Sequence, residues 1–185
     1  MSTLRETFLE ELGDIYDAEK QLLKALPKLA QAAENEDLRH AFEEHLEQTE
    51  AQVERLEQVF EVIGEEPKTK GCKAMEGIIK EGDELIKKHE SDAALICAAQ
   101  KAEHYEIASY GSLHSWARLL GEEDAADLLE ETLDEERDTD EQLTDIAESA
   151  INVEESEGEA EEEEQEEGEQ QEGQEQQKDK SGRPK

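Results

Sequence analysis

The chain has 185 residues, of which 54 are acidic and 19 basic; the formal net charge is −35, and only 34% of residues are hydrophobic. Phosphate contacts need clustered Lys and Arg, so this balance argues against nucleic acid and anionic membrane as partners. No stretch approaches the roughly 20 apolar residues of a transmembrane helix. The first residues lack the apolar run of a secretory leader, so a cytoplasmic protein with reduced Cys72 and Cys97 is expected.

Apolar residues recur at helical spacing, which makes the fold class all-α. The first helix is expected over about residues 3 to 33, capped by Ser2 or Thr3. Its inner heptad reads Phe8, Leu12, Ile15, Glu19, Leu22, Leu26, Leu29, Ala33. Pro27 lies inside it, so a kink or break is expected near Lys24. The turn ENED leads to a second helix over about residues 37 to 63. Leu38, Phe42, His45, Thr49, Gln52, Leu56, Val59 and Ile63 face inward, and Gly64 and Pro67 end the helix.

A long crossover follows and contains CKAMEGIIKEGDELIKKHE, a short helix weakened by Gly77 and Gly82. The next long helix starts after Ser91 and Asp92 and ends at Gly121. Its inner heptad is Ala93, Ile96, Gln100, Glu103, Ile107, Tyr110, His114, Ala117. The last long helix covers about residues 123 to 150, with Ala125, Leu128, Thr132, Glu135, Thr139, Gln142 and Ile146 inward. A second seam of Leu129, Leu133, Glu136, Leu143 and Ala147 broadens its apolar face. Short turns make each helix pair antiparallel, and one long crossover joins the pairs. That is the connectivity of a ferritin-like antiparallel four-helix bundle, here with an extra short helix in the crossover.

The bundle accounts for residues 1–150. Residues 151–185 carry 14 acids and 4 bases, rich in Glu, Gln and Gly, with no apolar periodicity. This segment is expected to be a disordered acidic tail. Its net of −10 leaves −25 on the bundle. Such a domain repels itself at ordinary salt, and a Debye length of roughly 3 Å at 1 M salt removes most of that cost. The composition is that of a halophile's cytosolic protein.

The acids on the four inner heptads are Glu19, Glu103 and Glu135, each near mid-helix. His45, Thr49, Gln52, Gln100, Thr139 and Gln142 fall at similar levels. A faint internal repeat relates the two halves. Ala18-Glu19 matches Ala102-Glu103, and TEAQVERL matches TDEQLTDI, which pairs His45 with Glu135. Buried unpaired carboxylates cost several kcal/mol, roughly, or take up protons. Several at one level call for a cation, and oxygen ligands with an imidazole suit iron or manganese. Glu19, His45, Glu103 and Glu135 are the expected ligands, supported by Gln52, Gln142 and Tyr110. A polar layer without metal, hydrogen-bonded through the same residues, satisfies the same pattern.

The stretches LGDIYDAEKQLLKALPKLA, FEEHLEQTEAQVERLEQVFEVIG, CKAMEGIIKEG, AAQKAEHYEIASYGSL and ETLDEERDTDEQLTDIA closely resemble the YciE/YciF family. That family is ferritin-like, linked to stress responses and of unknown biochemical function. The resemblance implies a dimeric bundle and favours a carboxylate-bridged di-iron site. In the ferritin-like pattern two helices each give one Glu and two give Glu-x-x-His. Glu19 and Glu103 match the single-Glu helices, with Glu106 a second candidate. The other two helices depart from the pattern. One offers Glu47-x-x-Glu50 or His45; the other offers Glu135-x-x-Asp138 or Glu136-x-x-Thr139. Two functions are therefore expected: a stress-associated protein binding iron or manganese, or a metal-free helical module whose acidic tail contacts a partner. No catalytic residue or substrate is assigned.

Overall fold

The structure, a computed structural model, describes residues 3–89 and 91–153; nearly all of the expected acidic tail lies outside them. These residues form α1 (Leu4–Ala32), α2 (Glu36–Val62), α3 (Lys73–His89), α4 (Asp92–Leu120) and α5 (Glu123–Ile146). A π-helical turn (Ala147–Ile151) continues α5. No strand occurs among the described residues, and no helix there is long and apolar enough to cross a membrane.

The helix ends follow from local chemistry. Thr3 caps α1 in a capping box with Glu6. Asn35 caps α2 by accepting from the amides of Asp37 (2.9 Å) and Leu38 (3.1 Å). Ser91 caps α4, which leaves Asp92 free for a different task. Its carboxylate accepts from the amides of Glu34 (3.0 Å) and Asn35 (2.7 Å), fastening the α1–α2 turn to the start of α4. Gly121 ends α4 at φ 78°, a left-handed cap that side-chain-bearing residues resist. Of the kink or break expected near Lys24, the break does not occur: α1 runs on through Pro27. Proline removes one backbone donor, and the flanking Leu22, Leu26 and Ala30 stay buried in the core.

α1, α2, α5 and α4 pack in a ring, each touching the next. Arg55 reaches Glu131 and Glu135, while Gln48 reaches Thr139, so α2 and α5 run in opposite directions. The start of α1 meets the end of α4 through Arg5 and Glu122, 2.6 Å apart. α2 and α4 therefore run parallel across the diagonal, and only a crossover can join them. α3 is that crossover, 17 residues long within the stretch expected to hold it. Gly82 seats it closely on α4, because a Cβ there would lie 3.0 Å from the Ala98 Cβ. The loop before α3 is seated on α1 at Gly13, where a Cβ would come within 2.8 Å of the Lys68 carbonyl.

The inner face of α2 is buried at all eight expected positions. On α5 the register differs from the expected one. Leu129, Leu133, Glu136 and Leu143 are buried, whereas Gln142 is exposed and Leu128 half-buried. The second seam is thus the core seam. Cys97 is exposed on α4 and Cys72 is buried; both are free thiols.

Candidate metal centre

Mid-bundle, α2 contributes His45, α4 contributes Glu103 and Glu106, and α5 contributes Glu136. His45 is 2% exposed and the three glutamates 0%. One nitrogen of His45 and one oxygen of each glutamate all lie within 4.8 Å of one another. His45 Nδ1 is 3.4 Å from Glu103 Oε1, and Nε2 is 4.0 Å from Glu136 Oε2. Glu103 and Glu106 share a face because they are one helical turn apart. Glu19 of α1 is equally buried and lies against Glu106; Tyr110 donates its hydroxyl hydrogen to Glu19 Oε1.

Little in the protein satisfies these groups. Ionised, both oxygens of Glu103, Glu106 and Glu136 and Glu19 Oε2 lack a hydrogen-bond donor, as both ring nitrogens of His45 lack a partner; only a shared proton joins Glu103 to Glu136 and Glu19 to Glu106. Native interiors rarely leave such atoms unpaired. Burial pushes the Glu103 carboxyl up to about 8 and Glu19 up to about 7. Burial, followed by the charge of neighbouring carboxylates, holds Glu106 and Glu136 well above the usual carboxylate range. Burial also pushes His45 down to about 4, so its imidazole is neutral and has a lone pair to offer.

The four residues first expected as ligands divide. Glu19, His45 and Glu103 sit in or beside the cluster, as do Glu106, the second candidate on its helix, and Glu136 of the second seam. Glu135 does not. Its carboxylate accepts from Arg55 Nη1 (2.7 Å) and Nη2 (2.8 Å) and from Gln52 Nε2 (3.1 Å), at the α2–α5 seam. Gln52 is therefore turned toward Glu135, and exposed Gln142 takes no part. The one-residue difference on α5 follows from its neighbours. Glu136 is flanked one and two turns away by Leu133, Leu129 and Leu143; Glu135 is flanked by Leu128, Thr132, Thr139 and Gln142. The more aliphatic stripe is buried and carries Glu136 inward. With this register the internal repeat shifts by one: Leu38, Phe42, His45 and Gln52 of α2 match Leu129, Leu133, Glu136 and Leu143 of α5. Each of these eight is buried. Arg55, the residue that neutralises Glu135, carried no signal in the apolar pattern.

The donor set fits a hard or borderline cation. It consists of carboxylate oxygens with one imidazole and no thiolate; buried Cys72 is engaged elsewhere, with its Sγ 3.1 Å from the Tyr105 hydroxyl. Such sets suit iron and manganese.

The model of the domain of unknown function DUF892 matches residues 3–155. Protein YciF of Escherichia coli (strain K12) is 52% identical over 157 residues, covering 82% of this chain and 95% of that protein. The crystal structure of that E. coli stress protein superposes with a TM-score of 0.78 at 52% identity, covering 82% of this chain and 99% of that one. YcfI from Rhodopseudomonas palustris superposes with a TM-score of 0.76 at 43% identity, covering 77% and 94%. A Xanthomonas campestris protein gives 0.64 at 25% identity, covering 82% and 95%.

Proposed function

This chain belongs to the DUF892 family of unknown function, and from that premise we propose that it is a ferritin-like, stress-associated metalloprotein binding iron or manganese at mid-bundle. The observation that carries this is the convergence of His45, Glu103, Glu106 and Glu136, buried and with no donor from the rest of the protein for their ionised carboxylates. Without a cation these groups oppose folding; with one, their charge is compensated and their lone pairs are used. The ferritin-like reading draws on the ring of four long helices with a crossover between parallel α2 and α4, and on ligands projecting inward from facing helices. The stress association draws on the description of the E. coli relative as a stress protein.

His45, Glu103, Glu106 and Glu136 would hold the metal, and Glu19, oriented by Tyr110, would complete the set. Four ionised glutamates balance two divalent cations, which favours a dimetal centre. Bound iron would supply electron exchange with a peroxide or dioxygen. Arg55 keeps Glu135 out of the centre, and the aliphatic surroundings limit water. The experiment is anaerobic Fe(II) or Mn(II) loading in high salt, followed by elemental analysis. Two ions per chain are expected in the wild type, and loss of metal in Glu103→Ala and Glu136→Ala. Metal-free wild-type protein after loading, or undiminished uptake in both variants, would refute the proposal.

A further inference from the structure

Beside the centre lies a pocket of about 220 Å³ between α1, α3 and α4. Its walls are Leu22, Leu26 and Leu29 of α1, Ile78, Ile79 and Ile86 of α3, and alanines of α4. The alanines create the space. Ala98, Ala99 and Ala102 stand where longer side chains would fill the gap. Gly82 brings α3 onto α4 at Ala98, while the α3 isoleucines remain half-buried over the opening. Only two polar residues line the deep end, His45 and Glu103. Both are buried, and His45 Nδ1 and Nε2 and both Glu103 oxygens lack hydrogen-bond partners. At the rim stand exposed Lys28 and Asp83, of opposite charge.

We propose that this pocket binds a neutral medium-chain aliphatic alcohol, its chain along the α1–α3–α4 walls and its hydroxyl at His45 and Glu103. An engineered apolar cavity of about 150 Å³ takes benzene, so this larger one suits a chain of roughly six to ten carbons. The walls offer an aliphatic tail what an interior offers a leucine. The deep end offers one hydroxyl an acceptor and a place beside the metal centre. Charge argues for a neutral ligand. The rim pair cancels, the floor carries a carboxyl, and the strongly acidic domain repels anions. The orientation of the hydroxyl toward a metal rests on the function proposed above; occupancy of the pocket does not.

The test uses 1-octanol and the full chain in high salt. Calorimetric titration of the metal-free wild type should show saturable binding, one molecule per chain. Ala99→Phe, which fills the deep wall, and Ala25→Phe, at the half-buried rim of α1, should each weaken binding by about tenfold or more. Octanoate should bind at least about tenfold more weakly than octanol. In Mn(II)-loaded protein, NMR of ¹³C-octanol should show the carbinol carbon broadened more than the terminal methyl. If the protein takes up no Mn(II), contacts between the carbinol protons and the His45 ring decide the orientation, and the metal reading alone falls. Absent or non-saturable octanol binding overturns the proposal, including where a second copy of the chain covers the pocket. Unchanged affinity in folded Ala25→Phe, equal affinity for octanoate, or preferential broadening of the methyl would overturn it too.

Discussion

Glu103→Gln should stabilise the metal-free protein and destroy its response to metal. Burial raises the Glu103 carboxyl from its ordinary 4.5 to about 8. The folded chain therefore holds this proton when the unfolded chain has released it. Stability from Glu103 is complete below the unfolded value and is lost as pH rises toward the folded value. Each pH unit in that window costs about 1.4 kcal/mol per group. The loss reaches about 3 kcal/mol at pH 7 and about 4 kcal/mol at pH 8. Glu19, Glu106 and Glu136 are raised too and act in the same direction. His45, lowered to about 4, acts oppositely, and its contribution is lost as pH falls below its ordinary 6.5.

Glutamine keeps the shape of the side chain and cannot ionise. Urea unfolding with chelator in about 1 M KCl, where distant charges are screened, should show Glu103→Gln more stable than wild type by up to about 3 kcal/mol at pH 7. The two should converge near about pH 4.5, their difference changing by up to one proton's slope. Adding Mn(II) should then reverse the order. At a thousandfold excess over Kd the wild type gains about 4 kcal/mol, and the variant gains little. Equal or lower stability of Glu103→Gln at pH 7 to 8, with parallel pH profiles, would refute the picture of a buried carboxyl lacking a partner.

Glu136→Ala should abolish metal uptake, whereas Glu135→Ala should spare it and cost about 2 kcal/mol in urea unfolding by stripping Arg55 and Gln52 of their acceptor. Asp92→Ala should lower stability by about 1 to 2 kcal/mol, because the Glu34 and Asn35 amides lose their acceptor; thermal melts at fixed salt measure this. Gly13→Ala should cost about 1 to 3 kcal/mol, since the new methyl is forced against the Lys68 carbonyl, and hydrogen exchange should report loosening of the loop around Lys70. Raising KCl from about 0.1 to 1 M should raise the midpoint of thermal unfolding by about 5 °C or more if self-repulsion limits stability; a flat or falling midpoint would exclude the salt-adapted reading.

The helices were legible because burial repeats with the helical period. α2 illustrates this: its eight inner positions are all buried, and the adjacent track of Leu46, Val53 and Phe60 packs against the same core without displacing them. α5 has two stripes, because leucines and threonines fall on adjacent tracks. The choice between Glu135 and Glu136 then depends on which track faces α4 and α1. The Arg55–Glu135 contact settles one side of that choice, and it joins residues 80 positions apart. No local pattern contains it. Ile107 and Glu106 show the same difficulty on α4: the apolar residue is half-buried and the acidic one fully buried. Hydropathy ranks them in the opposite order because it assigns each residue its cost in isolation, and Glu106 is not isolated.

That inversion also accounts for the departure from Glu-x-x-His. α4 brings two carboxylates one turn apart, Glu103 and Glu106, while α2 brings the imidazole and α5 a single carboxylate, Glu136. On the function proposed above, the residue types of the ferritin-like pattern are redistributed among the helices, with one imidazole where that pattern has two. Counting Glu19, the four buried carboxylates equal the number in that pattern, so the carboxylate charge is the same and what is missing is one neutral imidazole donor. On the proposed function, the raised carboxyls of Glu19, Glu103, Glu106 and Glu136 are the groups whose protons a bound cation would displace.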